Sequence, residues 1–542
     1  MKKRVFAALS CLLAISMVLT ACGGVKTGAG GGTGGVDKNQ ELNMTITAEP
    51  ASLDPSISPD TVSFRVLNNI NEGLFRMNKD NKPEEAIASR VEVSADKKTY
   101  TFTLRDAKWS DGKPVTAKDF EYSWKRTLNP KTGSEYSFIL FPIKNAKAYN
   151  EGKVDADQVG VKAVDDKTLK VELEEPSPYF QGLTTFTVYG PQRKDIVEKY
   201  GKKYATEPDK MVTNGPFDLV EWKHEQSLKL KKSDTYWDRG AVKLETANMN
   251  IVKDISTGVN LYTSEQTDMT QLNAELADAF KKSPDFTPVT VSESQFIVFN
   301  LKNEFLSNSK IRKAISYAID REALAKLMKD GSKPALALVP PTITGNDNEP
   351  FRKKATHGHL FNPREAKRLL KEGMKEEGFT EKPKLTLLSF DDYRKQASVF
   401  IQEQLKTNLG LDIQVDPQPR KQKIDREDNS EFELNYTAWN GDYNDPMTFL
   451  DLFLDSGVFS TGHWDNKKYK DLVEKAKGNP DFKERTQQLV KSEGILLDDA
   501  AIAPVIYGGK AYLQKPYVKE IVRHPIGADM TLKWAYLDGK DK

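Results

Sequence analysis

Few residues in this chain have the spacing that catalysis or metal binding requires. The chain holds only five histidines, and none has the spacing of a zinc-hydrolase helix. No glycine-rich phosphate loop follows a predicted strand, and no Gly-x-Ser-x-Gly turn occurs. The oxygen-rich segment 346–349 runs directly into Pro350 and offers too few acidic ligands for calcium, so we interpret it as a solvated turn. The sequence therefore predicts no catalytic residue, no cofactor and no metal site.

Cys22 is the exception, because its position gives its thiol a specific chemistry. The basic residues 2–4 precede an apolar run over residues 5–19, and Thr20 and Ala21 lead to the cysteine. A charged start, a short apolar run and small residues predict a secretory signal peptide over residues 1–21. Ending at a cysteine, the segment resembles the lipobox of bacterial lipoproteins. That resemblance implies lipidation of Cys22, whose acyl chains would anchor the protein outside the cytoplasmic membrane.

Composition limits the remaining possibilities. Cys11 lies in the predicted signal peptide, so no disulfide can form within the mature chain. Removing the three basic residues of the signal leaves 77 basic residues against 78 acidic ones, a formal net charge near −1. A balanced charge argues against nucleic acid as a partner, since that would require a basic stripe. Roughly five hundred mature residues are enough for two or three domains with full cores.

Hydrophobic patterning predicts a mixed fold after a flexible start. The glycine-rich composition after Cys22 predicts a tether over residues 22–42. Alternating apolar and polar residues predict strands, and helical spacing predicts helices. The predicted strands cover 42–47, 98–104 and 168–173, and the predicted helices cover 117–127 and 311–328. Helices and strands do not alternate strictly, so the patterning indicates an α/β or α+β chain of several domains.

The segment from Trp439 to Pro446, with the sequence WNGDYNDP, is the most distinctive motif of the chain. It resembles the ligand-binding loop of family 5 extracellular solute-binding proteins, the oligopeptide- and dipeptide-binding receptors of ABC importers. Further motifs agree with that family in order and spacing. They are Leu53-Asp54-Pro55, Asn71-Glu72-Gly73-Leu74, Trp109-Ser110-Asp111-Gly112, the segment 119–124, Asn214-Gly215-Pro216-Phe217 and Ile311-Arg312-Lys313-Ala314. Together these motifs cover nearly the whole mature chain.

The resemblance implies an α/β fold with two lobes, of the type II periplasmic-binding-protein class, and an extra subdomain in the first lobe. The two lobes would be joined by a hinge of two crossing segments and would close on the ligand. The implied boundaries are 43–71, 195–293 and 510–542 for lobe I, 72–194 for the extra subdomain and 294–509 for lobe II.

The resemblance also implies a set of ligand-binding residues. A free peptide brings an α-ammonium, which is costly to bury unpaired, and Asp442 matches the carboxylate that would receive it. Strand addition could satisfy the peptide backbone. The segments Pro59-Asp60-Thr61 and Ala438-Trp439-Asn440 fall on the family's two ligand-pairing strands, with Gly441 between the second strand and Asp442. Tyr136 matches an aromatic residue that hydrogen-bonds the ligand from the small subdomain.

This chain departs from the family pattern at several positions. Gln418-Pro419-Arg420 and Tyr436 occupy places where peptide receptors have tryptophan, arginine or aromatic residues. The strand 294–300 lacks the tyrosines common there, and Pro59 has no N–H to donate. How the far end of the ligand is held is therefore open.

We expect a lipid-anchored, extracytoplasmic monomer that captures short peptides and delivers them to the membrane permease of an ABC importer. The balanced charge predicts no nucleic-acid partner, and the expected location is the surface of a Gram-positive cell. Two alternatives stay open. The same fold could bind a signalling peptide, a nickel chelate or another small solute, and a protein of another class would be a surface enzyme or adhesin.

Overall fold

The computed structural model describes residues 36–541 apart from 345–348, 356, 357, 359, 393 and 456, and it leaves out the side chain of residue 274. The predicted signal peptide, the lipidated Cys22, most of the predicted tether and residues 346–348 of the solvated turn lie outside the described residues.

Runs of strands and runs of helices follow one another along the described chain. The strands are β1 Glu41–Ile46, β2 Phe75–Met77, β3 Pro83–Glu85, β4 Ala88–Val93, β5 Thr99–Leu104, β6 Val161–Ala163, β7 Thr168–Glu172, β8 Phe217–Lys223, β9 Ser227–Lys232, β10 Thr246–Ile251, β11 Met269–Leu272, β12 Phe286–Phe299, β13 Lys333–Pro334, β14 Leu385–Phe390, β15 Ile413–Gln418, β16 Leu434–Asn440, β17 Ile502–Gln514, β18 Val518–Lys519, β19 Val522–Arg523, β20 Met530–Thr531 and β21 Tyr536–Leu537.

The α-helices range from single turns to long amphipathic segments. They are α1 Thr61–Ile70, α2 Ala117–Leu128, α3 Ala146–Asn150, α4 Phe180–Leu183, α5 Lys194–Tyr200, α6 Ile255–Thr263, α7 Ala274–Phe280, α8 Glu304–Ser307, α9 Ser309–Tyr317, α10 Arg321–Met328, α11 Pro363–Glu376, α12 Arg394–Leu409, α13 Arg420–Asp428, α14 Met447–Leu450, α15 Lys467–Lys477 and α16 Phe482–Asp498. None of these helices combines the length and the apolar character that crossing a bilayer requires.

One mixed sheet runs through the described chain. Its strand order is β15-β14-β16-β12-β17-β11-β1-β10-β9-β8, with β13 also pairing with β17. The long strands β12 and β17 pair antiparallel in two stretches, and their register shifts between Thr290 and Ser294. On one side of this shift β17 also pairs with β11, and on the other side β12 pairs with β16. These two strands therefore connect the two halves of the sheet.

Separate hydrophobic cores cover the two halves. One core combines buried residues between 42 and 269 with residues 518–537 from the end of the chain. Two others are built from residues between 296 and 506. The first core also includes a four-stranded antiparallel sheet of order β4-β5-β7-β6. The end of the chain therefore packs with the part that begins it.

The predicted elements agree with the structure except at two places. β1, β5, β7 and α2 lie where patterning predicts them. The prediction of continuous helical structure over 311–328 is wrong, because Asp320 accepts a hydrogen bond from the Ala323 N–H at 3.0 Å and begins a new helix, α10. The predicted tether is also too long at its end. Asp37 and Gln40 are buried and hydrogen-bond residues 537–540, so residues 36–42 already belong to the folded body.

A buried charge cluster attaches the end of the chain to α1. The Asp529 carboxylate accepts two hydrogen bonds from the Arg65 guanidinium at 2.8 Å and one from Lys510 Nζ at 2.9 Å. Burial alone would raise the pKa of Asp529, but Arg65 and Lys510 hold it well below its ordinary value. The cluster therefore stabilises the folded state with Asp529 ionised.

We expect Asp529→Ala to lower the free energy of unfolding by about 3–5 kcal/mol, because it leaves Arg65 buried without its acid. Urea unfolding at pH 7 would measure this loss. The depressed pKa means that the stabilisation is present above about pH 4 and is lost as the pH falls through the folded-state pKa. The exposed Asp471, which pairs with Lys467, provides the control, and its change to alanine should leave the free energy of unfolding nearly unchanged, because exposed ion pairs contribute little. Equal losses in the two variants would contradict the role of the cluster.

Candidate functional site

The second half of β16 has a strand on only one side. β14 pairs with β16 at Leu434 and Asn435 alone, whereas β12 pairs with β16 as far as Asn440. In the described chain no strand covers the other edge of residues 436–440. Unpaired backbone N–H and C=O groups on such an edge can accept an added strand. The structure thus confirms the predicted strand over Ala438, Trp439 and Asn440 and shows that its edge is open.

The segment Pro59-Asp60-Thr61 is not a strand, so this part of the prediction is wrong. Asp60 is the N-cap of α1, and its carboxylate accepts hydrogen bonds from the Val62 and Ser63 N–H groups at 2.9 Å. A carboxylate that satisfies two free helical N–H groups begins a helix at the next residue. Thr61 is accordingly the first residue of α1, and only the extended backbone of Asp60 resembles a strand.

Asp442 lies two residues beyond the open strand edge. The Gly441 N–H donates to the Ser292 carbonyl at 2.9 Å and closes the ladder, and the Asp442 N–H donates to Thr448 Oγ1 at 3.1 Å. Within the described residues, no side chain or backbone donor binds the Asp442 carboxylate. Although part of this side chain reaches the surface, the surrounding protein raises its pKa to about 7, and the charge of Asp451 adds to the shift. Asp442 is therefore a desolvated acid without a compensating cation.

The arginine that contacts this loop in the described chain through Asp445 is already used by that acid. Arg485 donates two hydrogen bonds to the Asp445 carboxylate at 2.8 Å, and both side chains are buried. Tyr179 covers this pair, with its ring 5.5 Å from the guanidinium and stacked on Tyr443 at 4.8 Å. Asp451 has a pKa raised to about 7 by burial. The loop thus carries more negative charge than its arginine neutralises.

Tyr136 lies close enough to interact electrostatically with two other predicted site residues. Burial raises the pKa of Tyr136, and the charges of Asp442 and Asp60 raise it further, whereas Arg420 lowers it. Its ring packs edge-on against Phe64, with centroids 5.3 Å apart. The hydroxyl is therefore protonated at neutral pH and can donate a hydrogen bond.

A cavity of about 710 Å³ adjoins the open strand edge. Thr61, Asn440 and Gly441 line it, so the structure brings these three predicted residues together. Asp442 lines a small neighbouring cleft, and Ile526 and Gly527 form part of the walls of both spaces. Of the other predicted residues, Ala438 and Pro59 are half-buried and are not among the residues that line the cavity.

The Trp439 side chain packs against one of the hydrophobic cores. Its ring lies 6.3 Å from Phe459 in an edge-on contact, and the pair belongs to one of the cores over residues 296–506. Its indole N–H is buried and has no hydrogen-bond partner among the described residues. The backbone of Trp439, more than its ring, is therefore available at the strand edge.

Sequence reasoning missed the turn 525–527, which returns from the end of the chain to form a wall of the cavity. Gly527 has φ +61° and packs its Cα beside the Phe186 ring. A proline followed two residues later by a glycine is a turn signal, but only the fold places this turn beside Asp442. Sequence reasoning also missed the stack between Tyr179 and Tyr443.

A two-part α/β fold with an open strand edge and an uncompensated acid beside a cavity defines a binding protein for a small solute. The chain belongs to the family described as "Bacterial extracellular solute-binding proteins, family 5 Middle", which matches residues 82–461. This is a family of solute-binding proteins and not of enzymes, and membership confirms the predicted family.

The chain is similar to individual relatives over most of its length. It is 40% identical over 492 residues to the dipeptide-binding protein DppE of Bacillus subtilis (strain 168), covering 90% of each chain. It is 38% identical over 536 residues to the oligopeptide-binding protein OppA of the same organism, covering 96% of this chain and 97% of that one. The structure of Listeria monocytogenes OppA bound to peptide shares 37% identity with a TM-score of 0.77, covering 92% and 99%. These likenesses confirm the two-lobed type II fold.

We expect Asp442→Asn to stabilise the ligand-free protein by about 1–2 kcal/mol at pH 8, since each pKa unit corresponds to about 1.4 kcal/mol and partial exposure reduces the effect. Because the folded-state pKa is raised, the cost of ionising Asp442 is absent near pH 4, grows as the pH rises and is complete above pH 7. Thermal unfolding of both proteins at pH 5 and pH 8 would measure the difference.

The neighbouring Asp445 provides a matched control for this prediction. Asp445→Asn removes the charge partner of the buried Arg485 and should lower the free energy of unfolding by about 3–5 kcal/mol. If both aspartate variants destabilise the ligand-free protein at pH 8, Asp442 is a structural residue and not an uncompensated acid.

Proposed function

We propose that this protein captures short peptides between its two lobes and delivers them to the permease of an ABC importer. The observation that carries the proposal is the Asp442 carboxylate, desolvated and without a cation, placed directly beyond the open edge of β16. A free peptide supplies the two groups that this arrangement lacks, a backbone to pair with the edge and an α-ammonium to pair with the acid. The names of the two Bacillus relatives, which bind dipeptides and oligopeptides, support this assignment.

Ligand binding would supply the partner that the Asp442 carboxylate lacks. Asp442 in the ligand-free protein is costly to ionise because it has lost water without gaining a partner. An α-ammonium placed beside it would form a charge-assisted hydrogen bond in a site that excludes water. The backbone of the peptide would then extend along residues 436–440, and strand addition binds any sequence because it uses main-chain groups.

We propose the lobe boundaries given by the resemblance, with the start of lobe I moved to residue 36. Lobe I then comprises 36–71, 195–293 and 510–542, the extra subdomain comprises 72–194, and lobe II comprises 294–509. Contacts join the subdomain to lobe II beside Asp442, including the stack of Tyr179 on Tyr443. Lys97 Nζ also donates to the Pro480 carbonyl at 2.8 Å. These contacts would lie over the amino end of a bound peptide and would help to exclude water from it.

We also propose that the protein is a monomer anchored by a lipid on Cys22 to the outer face of the cytoplasmic membrane of a Gram-positive cell. The support is the sequence of residues 1–22. Such an anchor would keep the receptor close to its permease, and the glycine-rich residues that follow would separate the folded body from the membrane.

The alternative cargoes have less support. A nickel chelate would be favoured by a cluster of ligating side chains, and no group of three histidine, cysteine, aspartate or glutamate residues in the described ranges has suitable geometry. A surface enzyme or adhesin is disfavoured by membership of a solute-binding family. A signalling peptide would use the same strand edge and the same acid, so it is a special case of the proposed function.

We expect the affinity for a tetra-alanine peptide with a free amino group to be highest between about pH 7 and pH 8. Below pH 7 the free protein must release a proton from Asp442 to bind the ammonium, which lowers the affinity by up to tenfold per pH unit. Above pH 8 the α-amino group of the peptide loses its charge. Isothermal titration calorimetry across pH 5–9 would give this profile.

The N-acetylated form of the same peptide is the control, since it keeps the backbone and lacks the charge. It should bind at least about a hundredfold more weakly at pH 7.5, corresponding to the roughly 3 kcal/mol of a desolvated charged hydrogen bond. Equal affinity of the two peptides would show that Asp442 does not receive the ammonium.

We expect Cys22→Ala to release the protein from the membrane fraction, because the substitution removes the thiol that would carry the acyl chains. Cell fractionation followed by immunoblotting would measure the distribution. A Cys11→Ala variant is the matched control and should stay with the membrane, since residue 11 lies within the predicted signal peptide. Retention of the Cys22→Ala variant after a high-salt wash would contradict the proposed anchor.

A further inference from the structure

We propose that the cavity beside the strand edge selects peptides that carry a basic side chain, and that Asp330 is the residue that makes this selection. The inference rests on the proposed function, because it assigns the side-chain preference of the same peptide site. It follows from where Asp330 lies, from which charges around it are already neutralised and from the shape of the cavity.

Asp330 is held on the cavity wall by a turn that cannot move far. The turn follows α10 and includes Lys329 with φ +55° and Gly331 with φ +93°. Gly331 lies directly against Gly509 of β17, where a Cβ atom would come within 2.3 Å of the Gly331 carbonyl carbon. Two glycine backbones in such close contact fix the turn to the sheet. The Asp330 side chain therefore lines the cavity from a rigid support.

The Asp330 carboxylate has no cation. It accepts a hydrogen bond from the Ser332 N–H at 3.0 Å, and no basic side chain in the described chain forms an ion pair with it. Burial raises the pKa of Asp330 above its ordinary value. As with Asp442, a positive charge brought by the ligand would recover part of the lost hydration energy.

The basic residues near the cavity are already paired with acids. Lys510 donates to Asp529 at 2.9 Å, Lys395 donates to Asp391 at 3.2 Å, and the Arg394 Nε donates to Asp392 at 3.0 Å. The cavity itself is lined by five acids and only two lysines, the acids being Glu275, Glu293, Asp330, Asp392 and Asp529. Asp392 and Asp529 are paired with basic residues, but the formal charge of the cavity stays negative when the partners Arg65, Arg394 and Asp391 are counted with it. A negative cavity favours a cationic side chain over a neutral one and disfavours an anionic one.

The cavity also fits the stem of a lysine or arginine side chain. Val291, Met328, Val399 and Ile526 contribute apolar surface to its walls. A long basic side chain can bury its methylene groups along such surface while its charged end reaches the acid. Asn440 and Gly441 line the same cavity, so a side chain from a peptide paired with the open strand edge enters it directly.

The test uses tetra-alanine peptides in which each position in turn is replaced by lysine, norleucine or glutamate. Norleucine keeps the straight stem of lysine and removes its charge. At one position we expect lysine to bind at least tenfold more tightly than norleucine, and glutamate to bind more weakly than norleucine, as measured by calorimetry at pH 7.5. Asp330→Asn should reduce the preference for lysine over norleucine about tenfold. Asp471→Asn, the same substitution in an exposed ion pair of α15, should leave both affinities unchanged.

The possible results separate this inference from the proposed function. If lysine, norleucine and glutamate peptides bind equally well, the side-chain selection is overturned and peptide binding stands. If tetra-alanine and all its variants fail to bind, the proposed function itself is overturned. A lysine preference that persists in Asp330→Asn would overturn the assignment to this residue. Should that variant fail to fold, the comparison of the three peptides on the unmodified protein still decides whether the cavity selects basic side chains.

Discussion

The site depends on one constraint, which is that Asp442 must be desolvated and without a cation until ligand arrives. The structure meets this constraint by giving the nearby arginine to another acid. Arg485 donates from both terminal nitrogens of its guanidinium to Asp445 and lies against the Tyr179 ring, and no ion pair joins it to Asp442 among the described residues. The loop that follows β16 therefore keeps its fold through one neutralised acid while leaving a second one uncompensated.

Several other buried charges in the described chain are satisfied internally. The Arg312 guanidinium, for example, donates to the carbonyls of Leu306, Ser307, Asp499 and Ala500. Buried polar groups are normally paired in this way because an unpaired one is costly. An acid such as Asp442 or Asp330 stands out against that background. The contrast marks the binding region without reference to any ligand, because groups with perturbed pKa values cluster at functional sites.

Local patterning predicts much of the fold, because the alternation of β1, β5 and β7 and the spacing of α2 reflect one buried face each. Patterning fails where a single polar side chain redirects the backbone. Asp320 divides the predicted helix over 311–328. The family resemblance fails for the same reason at Asp60, which begins α1 in a segment that the resemblance implied to be a strand. The motif around Asp442 identifies this acid from the sequence. The open edge of β16 could not be predicted in the same way, because it depends on where β14 ends. Asp330 and the turn 525–527 could not be predicted, since strands far apart in the chain bring them to the cavity.

The pairing of β12 with β17 has a mechanical consequence. The two crossings between the halves of the sheet are hydrogen-bonded to each other on both sides of the register shift, so they bend together as a single ribbon. A two-stranded ribbon bends more easily across its thin direction than within its plane, which favours one direction of movement between the halves. Every ligand that brings the halves together would move them in this direction to nearly the same end point. A permease could then recognise occupancy from one shape, whatever the sequence of the peptide inside.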